Sequence, residues 1–265
     1  MDLAHVFRYI SEKSWLVFFV QQPVSSYPYT QATWNALETA FSSDRLVLYR
    51  RYTNSDEQAF ELHSWNTKLG ATINHSMQGF ELLLRNHCNL HLSTIYGRSD
   101  WYEAFPGITD PQYQHLKYFY EEVQVVKSRV RNRNNPPCIV AGLTFGFWFA
   151  LFTRRVERDF WLKGLKDVFQ HRPARRDRKE ISDALGRVKN LRNRIAHHEP
   201  IFHRDMTAAQ ALIIELAECI CSETAQWIDF HSELNTFLQT CPIQDPNKRA
   251  QVLALRAADT NQWFL

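Results

Sequence analysis

Arg192, Asn193 and His197 stand close together in the stretch Leu191-Arg192-Asn193-Arg194-Ile195-Ala196-His197-His198-Glu199-Pro200, and their side-chain types suit chemistry on a phosphate ester. Arginine carries a permanent charge on a planar fork that matches phosphate oxygens, and histidine, with an ordinary pKa of about 6.5, gives or takes a proton near neutrality. Asparagine can hold the imidazole or the phosphate in register. Together they suit transesterification at an RNA phosphodiester, where the ribose 2′-hydroxyl is the nucleophile and neither a metal nor a covalent enzyme intermediate is required. The products would be a 2′,3′-cyclic phosphate and a free 5′-hydroxyl. The same residue types also cap carbonyls at a helix end and complement its dipole, so the motif by itself leaves a structural role open.

The element that must position these groups is a helix. Over residues 177–199 the apolar residues Ile181, Leu185, Val188, Leu191 and Ile195 recur every three or four positions, the spacing of one helical face. Asp177 with Glu180 forms a start signal of the capping-box type, and Pro200 forms a stop. At roughly 100° per residue, Arg192 falls on the shoulder of the apolar stripe, and Asn193 and His197 lie one turn apart, about 40° from each other. His198 points elsewhere. The long Arg192 stem can swing toward the Asn193 and His197 side, which makes a place for one phosphate beside one proton-transfer group.

Residues 192–201 resemble the signature of the Abi-like (abortive-infection) proteins of bacteria, which carry the Arg, four to six residues, His motif of HEPN ribonucleases. Three other stretches resemble the family in the same order: Phe80-Glu81-Leu82-Leu83-Leu84-Arg85-Asn86, then Tyr96-Gly97 with Trp101 close behind, then Leu143-Thr144-Phe145-Gly146-Phe147-Trp148. The resemblance covers residues 35–237. It implies an all-α, HEPN-like helical bundle over residues 35–240, with an N-terminal extension (1–34) and a C-terminal tail (241–265). It also implies that Arg192, Asn193 and His197 are catalytic, with Glu81, Arg85, Asn86 and His198 in support and the Glu81/Arg85 helix packed beside the Arg192 helix to orient it. Two copies of the motif commonly face each other in that family, so a homodimer is expected. The implied setting is phage defence, with a non-coding RNA or another partner as restraint.

Composition bounds the alternatives. A chain of 265 residues, 45% hydrophobic and 14% aromatic, can bury a sizeable core. The five cysteines form no C-x-x-C pair, which fits a reducing cytoplasm and indicates neither a disulfide framework nor a zinc site. The longest apolar runs, residues 15–20 and 145–152, fall short of the ~20 residues needed to span a bilayer. No cofactor, resident metal or membrane partner is expected. The net charge of +3 conceals an asymmetry: residues 127–194 hold 18 Lys and Arg against 6 Asp and Glu, a local +12 that leaves −9 elsewhere. Such a field concentrates polyanions around the Arg192 helix. Lys127, Arg129, Arg131 and Arg133 at one helix end, and Arg175, Arg176 and Arg178 in a basic loop, are candidate RNA-backbone contacts; a solvated helix end or turn accounts for the same residues. The competing function is an RNA-binding module, or a toxin–antitoxin-type component, that grips a regulatory RNA without turnover.

Elsewhere, residues 34–52 read as one or two short helices around Ser42-Ser43-Asp44. Ser55 with Gln58 reads as a capping box, opening a long helix to about Ile95, with Gly70 and Gly79 allowing a bend or a close helix contact. Glu81 and Arg85, four apart, also suit an intrahelical ion pair. Asp110 caps a helix running towards Val130, residues 140–152 read as one central apolar helix, and residues 161–169 as a short one. A last long helix follows Asp205 or Thr207, its Trp227, Phe230, Leu234 and Phe237 closing the core. A short helix spans residues 248–258 before an aromatic Trp263-Phe264-Leu265 end.

Overall fold

A computed structural model describes residues 27–105, 111–171 and 177–259. Residues 1–26 of the expected N-terminal extension, the Asp110 cap, Arg175, Arg176 and the aromatic Trp263-Phe264-Leu265 lie outside the described residues. Those described form helices and connecting turns with no strand, so the protein is all-α. Two compact units are distinguished, residues 1–43 and 44–265.

In the first unit, α1 (Gln31–Phe41) is capped by the Thr30 hydroxyl, which accepts from Thr33 N at 3.2 Å, and Tyr29 stacks on Trp34. No residue of α1 is buried.

The second unit is built on α3 (Asp56–Tyr96), at 41 residues about 60 Å of helix. Its apolar stripe of Phe60, Leu69, Ile73, Phe80, Leu84, Cys88 and Leu92 is buried throughout, and Gly97 ends it in the left-handed conformation that glycine adopts without strain. The Ser55 hydroxyl caps its start, but the Gln58 side chain accepts from Asn54 N rather than from Ser55, so only half of the expected capping box forms. α2 (Ser43–Arg51) buries Leu46 and Tyr49.

The remaining helices cover α3. α4 (Lys117–Arg129) follows a 3-10 turn at Pro111–Leu116. The single central helix expected over residues 140–152 is instead two: α5 (Pro136–Gly142) and α6 (Phe145–Ala150). Two features break it: Thr144 takes an extended backbone to cap Phe147 N through its hydroxyl, and Gly142 lies so close to Val126 that a β-carbon would stand 2.6 Å from Val126 Cγ1. Around it, Trp101, Phe105, Phe119, Phe147, Trp148 and Phe160 meet in edge-to-face and tilted contacts, with Trp101 Nε1 donating to Asn89 Oδ1 at 2.8 Å. Residues expected as a short helix at 161–169 form a π-turn at Glu157–Trp161 and a 3-10 turn at Leu165–Phe169, separated by Gly164 at φ 125°.

α7 (Arg178–Ala196) opens with the full Asp177/Glu180 capping box and buries Ile181, Leu185, Val188 and Leu191, as its periodicity predicts. Arg178, expected in a basic loop, is the first residue of this helix. The last long helix is three: α8 (Met206–Glu218), α9 (Ser222–Phe230) and α10 (Leu234–Leu238). Within it Trp227 and Phe230 do not close the core. They are 57% and 84% exposed, because Ala225 and Ile228 occupy the inward face of α9 and Ile228 presses on Gly79 of α3. Cys219 is buried and Cys221 half-buried. α11 (Pro246–Ala258) starts two residues earlier than its apolar pattern suggests, because Asp245 caps it and Pro246 suits a first helical turn.

Candidate active site

The end of α7 is built as a fixed turn. The helix ends at Ala196 with His197 as its cap, short of Pro200, because His198 adopts a left-handed conformation (φ 58°) that turns the chain out of the helix. Two backbone bonds close the turn: His198 N to Ile195 O at 3.0 Å and Glu199 N to Arg194 O at 2.9 Å. This is the paired arrangement of a Schellman motif, with histidine where glycine is usual. The Arg194 guanidinium clamps the same turn through Glu199 at 2.9 Å.

Other elements hold the turn from outside. Gly70 leaves room for Ile195 against α3, 3.4 Å from where a β-carbon would stand. Asn66, four residues earlier and buried, accepts from Ile201 N at 2.7 Å and from Phe202 N at 3.0 Å. Arg45 of α2 donates to His198 O at 3.3 Å. Behind the turn, Arg256 of α11 donates to Phe202 O, and Asp259 accepts from Arg204 Nη1 at 2.7 Å and Asp205 N at 3.2 Å.

On this scaffold Arg192 is half-buried, while Asn193 and His197 are exposed. Among the described residues none of these three side chains commits a polar atom to another group, whereas the backbones of Asn193 and His197 are joined by a 2.9 Å helical bond. The arrangement leaves a cation, an amide and an imidazole on the last turn and cap of one helix, with the backbone beneath them immobilised. Chemically it can take up an anion and exchange a proton.

The supporting residues are placed differently from expectation. α3 does pack beside α7, but at Gly70 and Ile195; Glu81 and Arg85 lie about 16 and 22 Å farther along α3 by helical rise. No hydrogen bond or ion pair joins Glu81 or Arg85 to Arg192, Asn193 or His197 among the described residues, nor do the two pair with each other. Arg85 Nε instead faces Asn86 Oδ1 at 3.5 Å. His87 Nδ1 contacts Leu83 O, and no three His, Cys, Asp or Glu side chains among the described residues converge as metal ligands.

The basic residues divide into two sets. Arg129, Arg131 and Arg133 are exposed at and after the end of α4. Lys127 is drawn into an ion pair with Glu103 and lies over the Tyr102 ring, and Arg178, 12% exposed, donates to Phe152 O at 3.0 Å and pairs with Glu157. Those two cations fasten the fold rather than face solvent.

Three residues around the turn escaped the reading of the sequence: Arg45, His63 and Asn66. His63, half-buried on α3, meets the Tyr49 ring edge-on at 5.1 Å. Burial, then the Arg45 and His198 charges, hold its pKa below the usual imidazole value. His203 is pushed down further, to about 4, by burial and then by Arg204. Asn66 carried a usable signal, being a polar residue on the buried stripe of α3. No family model, curated protein or solved structure matches the chain.

Proposed function

We propose that the protein is an endoribonuclease of the HEPN type, cutting RNA through the substrate's own 2′-hydroxyl without a metal, and that its setting is bacterial defence against phage. The observation that supports this reading most is the α7 cap: Arg192, Asn193 and His197 stand with uncommitted side chains on a turn and following loop that three other elements, α2, α3 and α11, hold in place. Arg192 neutralises the phosphate, His197 moves a proton, and Asn193 keeps the two in register. A homodimer would set two such turns face to face, the second Arg192 sharing the charge that develops on phosphorus.

A second reading, RNA binding without turnover, is favoured by the exposure of Arg129, Arg131 and Arg133, which can track a phosphate backbone whether or not it is cut. One assay separates them. Purified protein is incubated with end-labelled RNA in EDTA, alongside Arg192→Ala and His197→Ala, and both cleavage and retention are measured. The nuclease reading expects cleavage to fall about 100-fold or more in His197→Ala while binding is kept. Equal cleavage by His197→Ala and wild type, or a strict need for magnesium, would overturn it.

A further inference from the structure

Of the two histidines in the turn only His197 shares the Asn193 side of the helix, His198 following it where the chain leaves the helix at φ 58°, whereas cleavage through the 2′-hydroxyl moves two protons: one leaves the nucleophile and one must reach the departing 5′ oxygen. The structure brings another imidazole towards the same turn from a different helix. His63, Asn66 and Gly70 recur at three- and four-residue spacing and so share one face of α3. Asn66 of that face holds the backbone of Ile201 and Phe202, and Gly70 receives Ile195 and Ile201, so the face is the one on which the α7 cap lies. α2 ties the remaining member in. Its Arg45 reaches the His198 carbonyl at 3.3 Å, and its Tyr49, one turn on, sets a ring edge-on against His63 at 5.1 Å.

We propose that His63 is the second proton-transfer group of this site, acting as general base on the ribose 2′-hydroxyl while His197 serves as general acid. The assignment rests on the nuclease reading and deepens it. His63 Nδ1 or Nε2 takes the 2′-hydroxyl proton, the oxygen bonds to phosphorus, the P–O5′ bond breaks, and the 5′ oxygen leaves with the proton of the His197 imidazolium. Solvent then returns both rings to their starting states. The division of roles follows from the surroundings. His63 is half-buried with Arg45 and Tyr49 facing it from α2 and His198 from the α7 cap, a setting that disfavours its cation and keeps the ring in the proton-accepting form. His197 is exposed at the end of the helix, where a leaving 5′ oxygen can reach it.

The test uses an RNA oligonucleotide with one ordinary linkage and its counterpart with a 5′-bridging sulfur, whose thiolate leaves without a proton. His63→Gln is expected to lose about 100-fold or more in kcat on both substrates. His197→Ala should be impaired on the ordinary linkage alone. The acid limb of the wild-type kcat/KM profile should fall below about 6.5, the ordinary imidazole value, and vanish in His63→Gln. Wild-type kcat and an intact acid limb in His63→Gln, beside an inactive His197→Ala, would overturn the assignment of His63 alone. No cleavage by the wild type would overturn the nuclease reading with it. Should His63→Gln not fold, a wild-type acid limb at or above about 6.5 overturns the assignment without any variant.

Discussion

His198 sits where helix ends most often place glycine, and it is one of the two non-glycine residues with positive φ among those described. A left-handed conformation costs an L-residue roughly 1–2 kcal/mol, while glycine gives back part of that in unfolded-chain entropy. His198→Gly is therefore expected to melt above His198→Ala, by about 1 kcal/mol in a denaturant titration. Asn66 offers a sharper contrast. Its single oxygen satisfies two buried backbone N–H groups, so Asn66→Ala leaves both without an acceptor and is expected to cost about 2–4 kcal/mol, read by urea unfolding. Residue types carried the candidate chemistry plainly in Arg192, Asn193 and His197. They did not carry His63, and Asn66 showed only as a polar residue on an apolar stripe, because a side chain on a helix more than a hundred residues earlier is brought to a turn only through tertiary packing.

At the scale of elements, periodicity and caps foretold α3 and α7: both stripes are buried except at Ile195, half-buried at the end of α7, and the Asp177/Glu180 box forms completely while the Ser55/Gln58 box forms by half. The reading of residues 140–152 and of the segment after Asp205 as single helices missed their breaks, since apolar composition continues across Leu143-Thr144 and Cys219-Ile220-Cys221 while the backbone does not. Trp227 and Phe230 were misplaced for a related reason. Once α9 is cut free at Cys221, Gly79 draws Ile228 inward and the two large rings face out. Gly142 gives this scale its prediction: Gly142→Ala forces a methyl group onto the stiff Val126 side chain and is expected to cost about 1–3 kcal/mol. In Gly142→Ala combined with Val126→Ala the loss should be smaller than the sum of the two single changes, measured as a double-mutant cycle.

For the whole molecule, charge and titration set the expectations. Arg129, Arg131 and Arg133 are exposed, so replacing all three by alanine should flatten the salt dependence of RNA binding by about 2 in logarithmic slope, whereas Lys127→Ala, removing a cation already paired with Glu103, should change it little. His203 contributes to the acid side of stability. Its folded pKa of about 4 lies below the unfolded 6.5, so the unfolded chain binds the proton first as pH falls. Stability should thus drop from about pH 6.5 towards pH 4, by up to about 3 kcal/mol from this group, with His63 and His91 shifted in the same direction. His203→Gln should flatten that slope in unfolding curves taken across the interval. The all-α class was legible throughout; the division at residues 43 and 44 was not, because Ser42-Ser43-Asp44 reads as an ordinary interhelical turn.

The fastening of residues 201–205 by Arg256 and Asp259 has a consequence for biosynthesis. Chain elongation delivers Arg192 and His197 some sixty residues before Arg256 and Asp259, the brace behind their turn. A polypeptide still short of α11 lacks these bonds, so on the proposed nuclease reading the site would be completed only after its own messenger had been read past Asp259.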